Sequence, residues 1–543
     1  MIGLVFFFVC GAADLRQEIE TFRQDDASLK RFYTQTWSTE RNQRLRKFYR
    51  ETRQGIERLD FTALDQDGKV DYLLFRNQLE YELRTLDMAD RRLQEITPLV
   101  PFATEIVALA DARQRVEPVD PRQAAEALAR LLRQVKALPK PEGKLTLRTR
   151  AATATADLRR SLQKWFQFYD GYDPLFSWWT AEPYKALNTA LETHEKKLAD
   201  QDKNVIVGDP VGREALMSDL AYEMIPYTPE ELIEIANREF AWCEKEMLVA
   251  SHELGFGDNW QKALEHVKTL HAAPGEQTAV VKKLTLEAMD YVERNKLVTV
   301  PPLARETWRM EMMSPERQKV NPFFLGGEVI RVSYPTSTMT HEQKMMSMRG
   351  NNVHFARATV FHEMIPGHFL QEFMEGRYRP YRQAFRTPFW TEGWALYWEM
   401  QFYDRGFAGS AENRVGMLFW RMHRCARIIF SLRFHLEQMT AQECVSFLVD
   451  RVGHERDNAE AEVRRSFLGT YPPLYQLAYM MGAIQFRGLR KELVESGKLS
   501  ELAFHDGILQ LNNIPVEMVR ASLSGQALTK EFRSSWRFAD AAR

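Results

Sequence analysis

Residues 358–399 read ATVFHEMIPGHFLQEFMEGRYRPYRQAFRTPFWTEGWALYWE. The stretch holds His362 followed by Glu363, a second histidine (His368) six positions on, and Glu392 in the next helix-forming segment. Two imidazoles, a carboxylate and an adjacent glutamate are the parts a catalytic zinc site needs. In the familiar His-Glu-x-x-His pattern the two histidines share a helical face because they stand four apart. A separation of six turns the second ring about a third of a turn off that face on a regular helix. Pro366 and Gly367 lie between them. Proline removes an amide donor and clashes with the preceding turn, whereas glycine accepts unusual dihedrals. The pattern therefore predicts a bulge or break that swings His368 back beside His362.

A His-Glu pair alone carries little weight, because five of the twelve histidines precede a glutamate. Only His362 is followed within a turn or two by another histidine inside an apolar segment. The third donor strengthens the pattern. Glu392 stands in the aromatic run Thr391–Tyr397, where an unpaired carboxylate is costly to bury. It must face a cation, either a metal or an arginine such as Arg386. Glu399, seven residues on, shares its helical face and is expected to orient an imidazole behind the ligands.

The chain is 543 residues long with a formal net charge of −1, so no electrostatic footprint for nucleic acid is present. Glycine (27) and proline (23) are sparse while Leu, Ala, Glu, Arg, Gln and Met abound, which favours a mainly α fold. The four cysteines show no paired spacing, which argues against a disulfide framework. No run of eighteen apolar residues exists, so stable membrane insertion is not expected. Residues 1–13 combine a short apolar core with a small-residue Gly11-Ala12-Ala13 site, but no basic residue precedes that core. A signal peptide and a periplasmic or secreted location are expected, with a buried first helix in a cytoplasmic protein as the alternative.

Outward from the motif, residues 14 to about 203 carry helical periodicity. Breaks fall at Pro98 and Pro101, at Pro118 and Pro121, and at 138–143. Asp65-Gln-Asp-Gly68 imitates a calcium loop, but Arg76 occupies the position of the bidentate acid, so it reads as a turn. Thr228-Pro-Glu-Glu231 predicts a capped helix start. Leu297–Val300 reads as a strand end, and the alternating 327–334 segment as a strand. The domain expectation is an N-terminal helical lobe over 14–300 and a zinc-site lobe over 301–543.

With His362 to Gln371 (HExxPGHxxQ) and Thr391 to Tyr397 (TEGWALY) both unbroken, the chain resembles the bacterial family catalogued as domain of unknown function 885. The segments Phe168–Pro174 and Tyr227–Leu232 extend the resemblance over most of the sequence. More distantly, the layout is similar to gluzincin metallopeptidases of the angiotensin-converting-enzyme type. There the glutamate ligand follows the second histidine by the same interval that separates His368 from Glu392. That similarity implies a large multi-helical, two-lobed body with a deep cleft and a small β element, and Glu363 as general base. The family's P-x-x-x-x-x-Y-x-x-G pattern is present from Pro473 to Gly482, which makes Tyr479 a candidate for oxyanion stabilisation, with a core tyrosine as the alternative. Its usual Gly-Gln is Leu474-Tyr475 here. The R-x-x-R…H element survives as Arg424, Arg427 and His435 but lacks its Asp-Thr-Gly, which leaves His435 a weaker candidate for transition-state contact. Arg464 is a candidate for binding a substrate carboxylate, or else a surface ion pair.

The expected site is thus His362, His368 and Glu392 on Zn²⁺, Glu399 behind them, Glu363 as base and Tyr479 or His435 on the oxyanion. The substrate is expected to be a short or unstructured peptide, with the 327–334 strand pairing with it by strand addition. Two rivals share the motif: a zinc hydrolase of non-peptide amides or esters, and a helical binding protein with a vestigial metal site.

Overall fold

The computed structural model describes residues 14–199, 205–318, 323–468 and 471–542. Residues 1–13, on which the signal-peptide reading falls, lie outside the described residues. The fold is mainly α with a small β element, as the composition predicts. No single helix among the described residues is long and apolar enough to cross a membrane. Cys243, Cys425 and Cys444 are buried free thiols.

The chain divides into two compact units, but not near residue 300. One unit contains 60–75 and 211–543 together with 14–19; the other contains 20–59 and 76–210. The expected boundary rested on Leu297–Val300 being a strand. It is irregular backbone instead, held from the helix Glu501–Leu511. His505 Nδ1 lies 2.7 Å from the Leu297 carbonyl, and the Thr299 amide donates to Asp506 at 2.8 Å. With these groups satisfied by side chains, the segment needs no strand partner.

In the second unit the helices Ala103–Gln114, Pro121–Lys136, Leu145–Tyr169 and Pro174–Leu198 enclose a core that includes Phe102, Leu128, Leu131, Leu162, Trp165, Phe176 and Leu187. Helix Pro121–Lys136 buries Ala124, Ala127, Leu128, Leu131 and Val135, an apolar stripe at helical spacing. Its start is set by Asp120, whose carboxylate accepts the amides of Arg122 and Gln123 at 2.9 Å. Of the predicted proline breaks, Pro98 and Pro101 precede the first of these helices, Pro118 and 138–143 fall between helices, and Pro121 opens one.

In the first unit, Thr228 and Glu231 form the expected capping box at the head of Pro229–Glu253. Asp65 accepts the Gly68 amide at 2.7 Å and so opens the helix Gln66–Ile96. Helix Pro388–Asp404 begins at Thr387, whose hydroxyl accepts the Phe389 amide at 3.1 Å, with Pro388 in the first position. Glycines let it touch the helix Tyr475–Arg490. A Cβ on Gly393 would lie 2.5 Å from the Gly482 Cα, and one on Gly482 would lie 2.1 Å from the Phe389 carbonyl oxygen. The glycines of TEGWALY and of the downstream tyrosine motif therefore meet. Their contact brings Tyr475 and Tyr479 onto the side of Glu392.

The β element is a parallel pair, Met310–Met312 (β1) and Ile330–Val332 (β2). Across its other edge β2 bonds Leu325: the Leu325 amide donates to the Arg331 carbonyl at 3.1 Å and the Arg331 amide donates back at 2.7 Å. Both edges of β2 are thus used at Arg331, so strand addition onto 327–334 is excluded there. Phe323 to Gly327, together with Arg317 and Arg331, line the cavity of the candidate site.

Candidate metal centre

Helix Val353–Glu363 starts on Asn352, whose side-chain oxygen accepts the amides of His354 and Phe355 at 3.0 Å. It stops at Glu363, and a new helix, His368–Glu375, begins four residues after Met364. The interruption is a full break. At Gly367 the chain folds back over the end of the first helix. A Cβ there would lie 1.9 Å from the His362 carbonyl oxygen and 2.5 Å from that of Phe361. Only glycine fits. The Trp394 indole N–H donates to the Pro366 carbonyl at 2.7 Å and ties the break to helix Pro388–Asp404. The His362 and His368 rings are thereby brought to 4.7 Å between centroids.

Glu392 Oε2 lies 3.2 Å from Nε2 of His362 and 3.2 Å from Nε2 of His368. The other nitrogen of each ring is engaged. His362 Nδ1 is 2.7 Å from Glu399 Oε1, and His368 Nδ1 is 2.9 Å from Gln371 Oε1. Gln371 donates its amide to the Trp390 carbonyl at 3.2 Å, which turns its oxygen toward His368. Carboxylate and amide oxygens only accept, so Nδ1 carries the proton in both rings. With Nδ1 so engaged, Nε2 of each ring faces Glu392, as a lone pair whenever the imidazole is neutral.

Three acceptors converging on one point repel one another unless a cation lies between them. The set of two imidazole nitrogens and a carboxylate oxygen, all within 4.8 Å of one another, suits zinc. Two donors about 2.05 Å from a tetrahedral ion sit about 3.3 Å apart, close to the separations found. Electrostatics point the same way. Burial alone would lower both imidazole pKa values, but the adjacent Glu392 overrides it and raises that of His368 to about 9. Burial would raise Glu392, yet the two imidazoles hold its carboxyl well below the usual range. Positive charge is favoured at this point, as a proton or as a metal. The arginine alternative for Glu392 does not hold, because Arg386 pairs with Glu375 at 3.3 Å.

A cavity of about 370 Å³ opens onto the triad. Glu363 lines it, and burial pushes its carboxyl up against the downward pull of His362 and His368. Gly326 packs on this glutamate, since a Cβ there would lie 2.1 Å from Glu363 Oε2. Tyr479 also lines the cavity, its ring stacked on His362 at 5.8 Å. The guanidinium carbons of Arg424 and Arg427 each lie 4.6 Å from that ring. The Tyr475 hydroxyl donates to Glu392 Oε1, the oxygen turned away from the imidazoles. Burial raises both phenols, so they remain donors.

A model of the bacterial family of unknown function DUF885 matches residues 26–523. The chain belongs to this family. Two solved structures share the fold of this DUF885 chain. One is described as "a putative lipoprotein of unknown function" from Shewanella oneidensis, with a TM-score of 0.70 and 17% identity, over 94% of this chain and 100% of that one. The other, "the putative lipoprotein from Colwellia psychrerythraea", has a TM-score of 0.60 and 13% identity, over 94% of this chain and 98% of that one. No curated protein matches the chain.

Two expected site residues stand elsewhere. His435 ends the helix Ala411–His435, eleven residues beyond Arg424, or about 16 Å at 1.5 Å per residue. It packs beside Phe434 and Phe467 and does not line the cavity. Arg464 is half-buried and also off the cavity, while its neighbour Arg465 lines it. One residue on a helix is about 100° of rotation, which suffices to exchange the two. Tyr475 went unrecognised because its hydroxyl meets Glu392 only after two glycine-tight helices cross. Gln371 was in view only as a motif letter.

Behind Tyr479, Glu462 accepts from Arg427 at 2.7 Å and pairs with Arg465 at 3.2 Å. Burial would raise its carboxyl, but the two guanidiniums hold it down at about 2. A depressed folded-state pKa contributes stability above the ordinary glutamate value that is lost as pH falls toward 2. The contribution is on the order of 3 kcal/mol. Glu462→Gln should therefore lower the urea midpoint most above pH 4.5, and its gap to wild type should close as pH approaches 2. A gap independent of pH would show that the carboxylate is not held ionised by the arginines.

Proposed function

We propose that this protein is a zinc-dependent peptidase acting on short or unstructured peptides. The observation that carries the reading is the convergence of three acceptor atoms, from His362, His368 and Glu392, beside a cavity lined by Glu363. A zinc ion bound there would supply Lewis acidity, polarising a carbonyl and acidifying water. The imidazoles are oriented by Glu399 and Gln371, whose oxygens accept from Nδ1 and leave Nε2 as the coordinating atom. Glu363 takes a proton from the attacking water at its carboxylate and passes it to the departing amine. Tyr479 offers its phenolic proton to the oxygen that becomes negative at the tetrahedral stage, while Tyr475 donates to Glu392 and holds it in place.

The order of donors along the chain, resembling that of gluzincins, supports a peptide as substrate. The same parts would serve a non-peptide amide or ester, and parallel panels of such substrates distinguish the two. The description of two structural neighbours as lipoproteins supports a location outside the cytoplasm. The decisive measurement is metal content. Purified wild-type protein should carry about one zinc per chain, by the stoichiometry of a three-ligand catalytic site. His368→Ala should lose it while keeping its helical circular dichroism. Zinc retained in His368→Ala, or absent from wild type supplied with zinc, would refute the centre.

A further inference from the structure

The cavity lining includes a buried arginine, Arg424, that makes no ion pair among the described residues. Arg424, Arg427 and Arg465 all line the cavity around Tyr479 and Tyr475. Arg427 and Arg465 share one carboxylate, Glu462. Arg424 has no ion-pair partner among the described residues. Its side chain is buried, with the residue only 5% exposed, and its Nε has no hydrogen-bond partner. The guanidinium lies 4.6 Å from the Tyr479 ring centre and 5.2 Å from that of Trp420, so two aromatic faces fix its position. The nearest site carboxylates, Glu399 and Glu392, attract it from beyond ion-pair distance and each already faces an imidazole, with Glu399 Oε2 left without a hydrogen-bond partner.

A guanidinium stays charged under all ordinary conditions, and an unpaired buried charge is expensive. Where such a group faces a substrate cavity, the missing counter-charge is one the substrate can bring. We infer that Arg424 holds a carboxylate of the substrate, presented either by a free peptide C-terminus or by an acidic side chain. The inference rests on the hydrolase reading for its substrate class and replaces Arg464 in the role assigned from sequence. It makes the cavity selective for anionic peptides, with the planar fork of Arg424 as the selecting group.

The test uses zinc-loaded Glu363→Gln, which should bind without turnover, and three N-acetylated probes. These are pentaalanine with a free carboxylate, pentaalanine amide, and the amide with one alanine replaced by glutamate. Calorimetry should show one or both acidic probes binding about 10- to 100-fold more tightly than the neutral amide, the range of a charge-assisted pair. Preference for the free acid identifies the C-terminus as the source, and preference for the glutamate amide identifies a side chain. In the double variant with Arg424→Gln the preference should fall to within about threefold. Arg424→Lys, which keeps the charge but not the fork, should lose part of it and decides the matter if the glutamine variant does not fold. No preference in the parent, or one that survives both substitutions, overturns the inference. So does an Arg424→Gln enzyme whose kcat falls equally on acid and amide, which would mark Arg424 as an oxyanion contact. Wild-type hydrolysis without acid selectivity would sink this inference alone. Selective, Arg424-dependent binding without any hydrolysis would sink the peptidase reading alone.

Discussion

Glu363→Gln should leave the protein folded and loaded with zinc while lowering kcat for peptide hydrolysis by roughly 10²–10⁴-fold, the usual worth of a positioned general base. The substitution is nearly isosteric, which matters because Gly326 packs directly on this side chain. Glu363 is not one of the three converging donors, so metal stoichiometry should be unchanged. What disappears is a carboxylate able to accept a proton beside the triad. Steady-state kinetics with parallel metal analysis separates the possibilities. Loss of turnover with zinc retained supports the assigned role. Unchanged function with zinc retained would favour a binding protein with a vestigial metal site, and joint loss of both would mean that Glu363 supports the fold of the site.

Gly367→Ala should weaken zinc binding at least as much as disturbing a ligand's support does, about 10- to 100-fold, and cost about 1–3 kcal/mol of stability by overpacking. The clash is with main-chain atoms, the carbonyls of His362 and Phe361, so no side chain can move aside to relieve it. Relief requires the His368 helix to lift away from the helix carrying His362, which separates the two Nε2 atoms. Gly376→Ala is the matched control. Its Cβ would meet nothing closer than the Glu372 carbonyl at 4.0 Å, and its dihedrals are ordinary, so zinc affinity should be unchanged. Zinc titration against a competing chelator reads both variants. Wild-type affinity in Gly367→Ala would show that the break does not set the register of the histidines.

Much of the site was legible in the sequence because its parts are local. Proline and glycine between His362 and His368 announce a discontinuity, since neither residue continues a helix comfortably. Glu392 and Glu399 are a pair on one helical face by spacing alone, and the structure puts both against His362. The proline breaks of the second unit and the Thr228 cap are likewise short-range effects. The misreadings have different causes. Leu297–Val300 looked like a strand because its backbone partners, His505 and Asp506, lie about 200 residues away. Arg464 and Arg465 differ by one helical step, and only the packing of the helix Arg456–Phe467 decides which of them faces the cavity. His435 carried over from a family element whose Asp-Thr-Gly this chain lacks.

Sequence by itself determined the mainly α class, because helix propensity and capping act within a few residues, and it pointed to His362, His368 and Glu392 through the motifs that carry them. Only the tertiary structure decided which groups complete the centre. Tyr475 reaches Glu392 from a helix far along the chain, the Trp390 carbonyl turns Gln371 toward His368, and Arg424 meets no ion-pair partner among the described residues. The physical reason is that burial and convergence are properties of packed surfaces. Whether a guanidinium is paired or unpaired depends on what the fold places opposite it, and no interval along the chain encodes that.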